Sequence, residues 1–370
     1  MQNQFDFIVI GAGIAGASIA AHLAPHGRTV ILEMEERAGY HTTGRSAAAY
    51  EPNYGPKPML AFARASGAFF HNPPQGFTDA TLISPRGSLF FEAEGQEVAA
   101  AILLEEAFGL NEISETEAQG FYPILRKGYA KRIFRDDSTG DLDVDLIHRG
   151  FLKQFKAAGG VLMTDAAATS IKHENGKWHV TTPKGDCKAK IIINAAGAWG
   201  DVVAKMAGIK PVGLTPKRRS IGVIPIDHKG FETWPMVTDV GETWYAKPQS
   251  GKMLVSSADE TPVEPHDAYA DDMAIAEGIE RLMIATTLEV THLDHSWGGL
   301  RSFIDDHCPI VGFDPSTEGF FWLVGQGGYG IQTSPALSRT AAAMVLKQDI
   351  PQDVLAAGLN INDILPNRLR

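Results

Sequence analysis

The sequence is poor in cysteine and has no excess of positive charge. Its two cysteines, Cys187 and Cys308, lie far apart among 370 residues and belong to no Cys/His cluster with zinc spacing. A disulfide-stapled fold is therefore excluded, no metal is expected, and two free thiols suit a reducing cytoplasm. Acidic residues outnumber basic ones, 44 to 33, and the net charge of −11 argues against nucleic acid as a partner.

Long apolar runs are absent as well. No uninterrupted apolar stretch of about 18 residues occurs, so no transmembrane segment is expected. Residues 1–4 lack the basic start of a signal peptide, and we expect a cytoplasmic protein. Peripheral contact with the inner membrane stays open. The 44% hydrophobic and 21% charged residues exclude a disordered or fibrous chain, and the length fits one large or two interlocked domains.

What the sequence does contain is a glycine motif between two strand-like segments. Residues 5–10 are apolar and β-branched, and Gly11, Gly13 and Gly16 follow in the pattern G-x-G-x-x-G. An Ala-rich helical stretch and a second strand-like segment, residues 29–33, come next.

This β-α-β pattern predicts a bound dinucleotide. The first glycine permits a tight turn, the second lets the backbone reach a pyrophosphate, and the third lets helix and strand pack closely. Ile14 and Ala15 begin the helix, whose free N–H groups would face the phosphates. Glu33, about 20 residues after the first glycine, would accept hydrogen bonds from a ribose. The alternative is a glycine-rich turn in an unrelated α/β fold.

The residues after Glu33 favour FAD over NAD. Residues 34–46 form a polar loop rich in Gly, Thr, Ser and Arg, which suits a long cofactor that is held along its length. Residues 191–199 indicate a further buried strand that ends in small residues. They suit a strand passing under the cofactor, or another core strand.

The cofactor signals fall in three separate stretches of the chain. We predict a discontinuous FAD-binding domain from residues 1–46, 140–205 and 300–370, and a substrate-binding domain from residues 47–139 and 206–299. The fold class is α/β: a glutathione-reductase-type, Rossmann-like FAD-binding domain with an inserted antiparallel-sheet substrate domain. Helices are predicted over residues 97–108, 144–158, 271–285 and 334–347, and Asn175-Gly176 predicts a β-hairpin.

Five segments resemble the D-amino acid oxidase/glycine oxidase superfamily of FAD enzymes, and most closely its D-arginine and D-amino acid dehydrogenases. They are residues 39–48 (GYHTTGRSAA), 194–199 (NAAGAW), 216–220 (PKRRS), 297–302 (WGGLRS) and 326–333 (QGGYGIQT).

This resemblance implies a noncovalent FAD. Cys308 does not match the cysteine of relatives with covalent flavin, and we expect it to be a buried small hydrophobe. In addition to the glycine motif, Ile14, Ala15 and Glu33, the resemblance assigns to the cofactor Gly44, Arg45, Ser46, Ala48, Ala168, Ala196, Gly197, Gly327, Gly328, Gly330, Ile331, Gln332 and Thr333.

The resemblance also implies a site for an amino acid carboxylate. Arg219 and Arg301 match the family's carboxylate-binding arginines, and the planar guanidinium suits a buried carboxylate. Tyr54 and Tyr245 match tyrosines that hydrogen-bond the same group. Two alternatives stay open: Arg218 instead of Arg219 points inward, or Arg301 pairs with Asp305 or Asp306.

Further substrate contacts follow from the same likeness, with two departures from the arginine-preferring pattern. Gly328, Gln332 and Met236 are expected at the substrate, Gly328 offering its carbonyl to the amine. Ser88 stands where that pattern has a Glu for the substrate guanidinium, so a preference for D-arginine is in doubt. Glu51 is a candidate to supply the negative charge that is missing at Ser88. Ala49 stands where the arginine-preferring pattern has a His near the flavin.

The function implied is oxidative deamination of D-amino acids to 2-oxo acids and ammonia. Hydride would pass from the substrate Cα to FAD N5, and electrons would go to an acceptor other than oxygen. Alternatives are a glycine- or sarcosine-oxidase-like enzyme that uses O₂, a 2-hydroxy acid dehydrogenase, an NADPH-using flavin hydroxylase and a flavin-holding subunit of a larger complex.

Overall fold

The computed structural model describes residues 3–369, apart from the side chains of Asn3 and Glu106. The strands are β1 Asn3–Gln4, β2 Phe7–Ile10, β3 Thr29–Leu32, β4 Ala49–Tyr50, β5 Ile83–Pro85, β6 Ser88–Glu92, β7 Asn111–Ile113, β8 Arg132–Asp136, β9 Gly140–Leu142, β10 Val161–Met163, β11 Ser170–Glu174, β12 Lys177–Thr181, β13 Cys187–Ala189, β14 Ile191–Asn194, β15 Thr215–Ile224, β16 Met236–Asp239, β17 Tyr245–Gln249, β18 Lys252–Ser256, β19 Thr261–Pro262, β20 His295–Phe303, β21 Ile310–Phe313 and β22 Phe320–Val324. The helices are α1 Ile14–Leu23, α2 Lys57–His71, α3 Glu97–Glu106, α4 Glu115–Phe121, α5 Val144–Ala157, α6 Gly200–Met206, α7 Asp272–Ala285, α8 Gly330–Leu346 and α9 Gln352–Ala356.

A six-stranded sheet in the order β10-β3-β2-β14-β22-β21 forms the centre of the fold. Its first five strands run parallel, and β21 is antiparallel to β22. Strands β2 and β22, on either side of β14, are fully apolar and buried, as strands covered on both faces must be. Helices α1, α5 and α8 pack on one face, and the smaller sheet β1-β13-β12-β11 contributes to the core on the other.

A second large sheet has nine strands and mixed direction. Its main path runs β19-β15-β18-β17-β16-β6-β8-β7, and β20 pairs with the whole length of β15. A short sheet, β4-β9-β5, lies apart from both large sheets. The α/β fold with a Rossmann-like sheet and a second sheet agrees with the predicted fold class.

Most predicted elements are present, with shifted ends. The Asn175-Gly176 hairpin joins β11 to β12, and both residues have positive φ (52° and 69°), as a type I′ turn requires. Helix α8 begins at Gly330 and not at residue 334, and it continues through Pro335. Pro335 leaves the Ile331 carbonyl without its helical donor, and the Ser334 hydroxyl donates to that oxygen at 2.9 Å.

Several elements were not predicted from the sequence, among them α2 and β20. Helix α2 packs against α8 and places Met59, Phe62 and Phe70 in the core beside the six-stranded sheet. Strand β20 contains the WGGLRS segment, residues 297–302. Helix α2 lies in the stretch 47–139 that was predicted for the second domain, but it packs beside the six-stranded sheet. The domain boundary after residue 46 remains a prediction. Within the described chain, no helix is long and apolar enough to cross a membrane.

Candidate functional site

The main cavity lies at the carboxyl ends of the parallel strands, where ligands bind in open α/β sheets. It encloses about 230 Å³. Its walls come from the loops that follow β2, β3, β10, β14 and β22, and from residues 39–43. The wall residues that matter below are Gly11, Gly13, Ile14, Ala15, Glu33, Ala168, Ala196, Gly197, Gly327 and Gly330.

The glycine motif forms a turn that side chains would disrupt. Gly11 has φ +99°, and a β-carbon there would lie 2.6 Å from the Ala195 carbonyl oxygen. A β-carbon on Gly16 would lie 1.9 Å from the Gly11 oxygen, so the helix packs directly on the turn. A β-carbon on Gly13 would meet Thr43 Oγ1 at 3.3 Å. The roles predicted for Gly11 and Gly16 therefore have a steric basis.

Polar contacts hold this turn in place. Glu33 is buried, and its carboxylate accepts the N–H of Ala12 at 2.7 Å and that of Glu35 at 3.0 Å. The Ile14 N–H donates to Thr43 Oγ1 at 2.9 Å. His148, from α5, lies 2.8 Å from the Ala12 carbonyl oxygen through Nε2, and burial lowers the pKa of this imidazole.

A second cavity of about 70 Å³ adjoins the first. The two share Ile14, Thr42, Thr43, Leu300, Gly327 and Gly330 as wall residues. The predicted residues Arg45, Ser46, Arg219, Arg301, Gly328 and Ile331 line this second cavity. Arg45 directs its side chain to Asp267 and to the Ala268 carbonyl at 2.6 Å.

Five predicted cofactor residues lie outside the walls of both cavities: Gly16, Gly44, Ala48, Gln332 and Thr333. The Thr333 hydroxyl donates to the Tyr329 carbonyl within its own helix, at 2.9 Å. Gln332 turns toward the substrate loop, where its Oε1 accepts the Glu51 N–H at 2.7 Å.

Arg219 and Arg301 come to one face of the β15/β20 pair. Arg219 is opposite Gly299 and Arg301 is opposite Lys217, so the two guanidinium groups are diagonal neighbours across the ladder. Arg218 points to the other face, where it pairs with Asp271 at 2.7 Å. The alternation along β15 thus decides between the two adjacent arginines in favour of Arg219.

The two arginines differ in how their charge is satisfied. Arg219 Nε donates to the Asp259 carbonyl at 3.0 Å, and its Nη2 lies 3.3 Å from Glu260. Burial, followed by the like charge of Arg301, lowers the pKa of Arg219. For Arg301 the structure gives neither a hydrogen bond nor an ion pair within the described chain, and Asp306 pairs instead with Arg368 at 2.8 Å.

Three tyrosines influence the charge of Arg301. Burial lowers the pKa of Arg301, but Tyr245, Tyr54 and Tyr329 outweigh that effect and raise it overall. The Tyr245 hydroxyl is buried and, among the described residues, has no hydrogen-bond partner. A free donor beside an unpaired cation is the arrangement that an incoming carboxylate would complete.

The remaining predicted substrate residues lie around Tyr245. Met236 and Ala49 pack in the same apolar cluster as Tyr245. Ser88 pairs in register with Met236 and is fully buried, and its hydroxyl has no hydrogen-bond partner in the described chain. Burial, together with the Glu242 and Asp136 carboxylates, raises the pKa of Glu51 to about 7.

Sequence reasoning missed two residues of this group, Glu242 and Tyr329. The Tyr329 ring lies 5.1 Å from the Tyr54 ring. The Glu242 carboxylate lies against the Tyr54 hydroxyl, and burial among protein atoms raises the pKa of Glu242. Glu242 sits in a turn with φ 54°, and nothing in its local sequence indicates a contact with a loop nearly 200 residues earlier.

His41, His307 and Cys308 do not contact the two arginines of the site. His41 lines the first cavity and pairs with Glu35 at 2.8 Å, and the His307 ring stacks on Phe303 at 4.6 Å. Cys308 is partly exposed, so the expectation of a buried residue was wrong. Burial raises the pKa of its thiol to about 11. Among the described residues, no group of three or more His, Cys, Asp or Glu side chains is placed to hold a metal.

Comparison with known proteins identifies the family. The model of the FAD-dependent oxidoreductase family (DAO) matches residues 6–344. The chain belongs to this family. The glycine oxidase of Bacillus licheniformis is 25% identical, with 96% of this chain and 97% of that protein covered. Mouse mitochondrial sarcosine dehydrogenase is 24% identical over 90% of this chain but 38% of its own length. The crystal structure of glycine oxidase from Geobacillus kaustophilus superposes with a TM-score of 0.82 at 18% identity, covering 94% of this chain and 96% of the other.

FAD is the cofactor of this protein, and the residues present fit it. The glycine turn and the start of α1 offer backbone N–H groups to a pyrophosphate. Glu33 retains acceptor capacity for a ribose beyond its two backbone bonds. The second cavity, with Ser46, Ile331 and the two arginines in its walls, adjoins this nucleotide end, so its wall residues would hold the flavin end of the cofactor.

Proposed function

We propose that this protein oxidises the Cα–N bond of α-amino acids, of the D configuration where Cα is chiral. The imino acid formed would be hydrolysed to a 2-oxo acid and ammonia. The observation that carries this proposal is the pair Arg219 and Arg301 on one strand face beside the FAD site, with no ion pair to Arg301 among the described residues. The similarity to a glycine oxidase and to a sarcosine dehydrogenase supports the same substrate class.

In this proposal, the residues of the chain bind the substrate and orient it. Arg301 and Arg219 hold the substrate carboxylate, and the Tyr245 and Tyr54 hydroxyls donate to it. The Gly328 carbonyl accepts a hydrogen bond from the substrate amine. FAD, when bound, supplies the acceptor for a hydride from Cα. Holding Cα in one orientation removes much of the entropic part of the barrier.

The expected side chain of the substrate is neutral or aromatic. Ser88 is fully buried and carries no charge, and Met236 and Ala49 pack near it. A guanidinium buried next to this apolar group would lose its hydration without gaining a carboxylate. We therefore propose that D-arginine is a poor substrate.

The electron acceptor that we propose is a carrier other than oxygen, such as a quinone, as the resemblance to D-amino acid dehydrogenases suggests. The second candidate is an oxidase that uses O₂. The end-to-end match with a glycine oxidase favours this alternative, because it covers 96% of the chain. A noncovalent attachment of FAD is part of either proposal.

Product analysis tests the proposal. The FAD-loaded protein is incubated in air with D- and L-enantiomers of alanine and phenylalanine, with and without a quinone analogue. The proposal expects 2-oxo acid and ammonia from the D-forms only, dependent on the quinone analogue. Hydrogen peroxide formed in stoichiometric amounts without the analogue would favour the oxidase, and oxidation of 2-hydroxy acids alone would contradict an amino acid substrate.

A further inference from the structure

Glu51 carries a carboxylate that the protein itself does not neutralise. The structure gives its side chain neither a hydrogen bond nor an ion pair within the described chain, although it is only partly exposed and lies in the loop that carries Tyr54. An unpaired carboxylate in such surroundings is costly, because desolvation penalises the charge without compensation.

The position of Glu51 is nevertheless well defined. Its N–H donates to Gln332 Oε1 at 2.7 Å, and its carbonyl accepts the Tyr54 N–H at 3.1 Å. Strand β4 ends at the preceding residue and pairs with β9. The carboxylate is thus attached to a backbone that is fixed on both sides, next to the start of α8.

The charged groups facing Glu51 do not supply a free counterion. Glu242 and Asp136 are like charges, and Asp136 is buried and accepts from Asn53 and Ser138. Of the cations, Lys247 lowers the pKa of Glu51 most. Its Nζ is already bonded to Asp141 at 2.8 Å and to the Ala48 carbonyl at 3.3 Å.

Arg301 is the other cation that lowers the pKa of Glu51, and the proposed function assigns it to the substrate carboxylate. An independent observation marks that end of the site as a binding position for an anion. The Tyr245 hydroxyl is buried and has no hydrogen-bond partner in the described chain, and Tyr245 raises the pKa of both Arg219 and Arg301. The site therefore presents a cationic end with a spare donor, and an unneutralised carboxylate beside it.

We propose that Glu51 binds the ammonium group of the substrate and selects amino acids over 2-hydroxy acids. This inference rests on the proposed function, since it takes Arg219 and Arg301 as the carboxylate site. An α-ammonium group brings the positive charge that Glu51 lacks. The hydroxyl of a 2-hydroxy acid is neutral, and it would leave the carboxylate without a counterion.

Ligands that cannot be oxidised test the inference without any turnover. 2-Aminoisobutyrate, 2-hydroxyisobutyrate and isobutyrate share one carbon skeleton and differ in a single group, and the two substituted acids have no hydrogen on Cα. 4-Aminobutyrate carries its ammonium at the far end. Their dissociation constants for the FAD-loaded protein are measured by calorimetry and by the change in the visible flavin spectrum, at pH 8.

The expected result is selective. Glu51→Gln should weaken the binding of 2-aminoisobutyrate about ten- to a hundredfold, the range for a lost charge-assisted hydrogen bond. It should change the binding of isobutyrate and 2-hydroxyisobutyrate less than about twofold. Glu51→Asp should keep part of the preference for the amine, and Glu289→Gln, at an exposed glutamate, should keep all of it. Retained flavin absorbance and circular dichroism would show that the variants are folded.

Other outcomes overturn the inference. Equal weakening of all three branched acids, or no change in any, would assign Glu51 no role in amine recognition. Dependence on Glu51 for 4-aminobutyrate alone would place the cation on the substrate side chain. If the wild-type protein bound none of the branched acids, the carboxylate site itself would fail, and the proposed function would fall together with this inference.

Discussion

Gly328 lies directly against the Arg301 guanidinium. A β-carbon built on this glycine would be 2.8 Å from Cζ and Nη1 of Arg301. A side chain at this position would have to push the guanidinium aside, and the loop after β22 thus limits where the guanidinium can lie.

Gly328→Ala should weaken carboxylate binding while FAD stays bound. The new methyl group must push the guanidinium aside, and we expect the dissociation constant for isobutyrate to rise about tenfold. Gly120→Ala is the control, because a β-carbon there meets nothing within 4 Å. Unchanged isobutyrate binding in Gly328→Ala would mean that Arg301 does not hold the carboxylate.

Arg301→Lys should raise the dissociation constant for isobutyrate at least about tenfold, because an ammonium group cannot form the paired hydrogen bonds of a guanidinium. The rate of flavin reduction by substrate should fall as well. Arg218→Lys is the matched control on the opposite face of the ladder, and calorimetry should find its affinity close to that of the wild type. An equal effect of both substitutions would contradict the assignment of the inward face.

Glu33→Gln should lower the affinity for FAD by about tenfold. The Glu33 carboxylate accepts the Ala12 N–H inside the glycine turn, and a charged acceptor bonds more strongly than an amide. Fluorescence titration of the apoprotein with FAD measures this effect, with the exposed Glu36→Gln as control. If both variants bound FAD like the wild type, Glu33 would contribute nothing to the cofactor site.

The glycine turn was predictable because its signal is local. Gly11, Gly13, Gly16 and Glu33 lie within one β-α-β unit, and their spacing alone fixes their neighbours. The Asn175-Gly176 hairpin was predictable for the same reason, since a two-residue turn with positive φ requires such residues.

The substrate end was predictable only in part, because its contacts are long-range. Arg219 and Arg301 were named through the family resemblance, but their common face depends on the β15/β20 register, and β20 was not predicted. Glu242 and Tyr329 reach Tyr54 from distant parts of the chain. Helix α2 was missed because the Pro- and Gly-rich residues around it hide its periodicity.

Glu51 should make the stability of the protein depend on pH. Its carboxyl has a pKa raised from 4.5 to about 7 in the folded state, so between these values the folded protein binds more protons than the unfolded chain. The contribution of Glu51 to stability is therefore full at low pH and is lost as the pH rises toward 7.

Glu51→Gln should remove this loss. Relative to the wild type, the variant should gain about 1–3 kcal/mol in unfolding free energy between pH 5 and pH 8. Thermal unfolding of the FAD-loaded proteins at both pH values, with Glu289→Gln as control, measures the difference. A gap between variant and wild type that does not change with pH would show that the Glu51 pKa is not raised.

The most direct measurement is the visible spectrum of the FAD-loaded protein during anaerobic addition of amino acids. We expect that neutral and aromatic D-amino acids bleach the flavin band, that D-arginine does so poorly, and that Arg301→Ala slows the bleaching strongly. A flavin that no amino acid bleaches would contradict the proposed function, and one reduced equally fast in Arg301→Ala would contradict the role of Arg301.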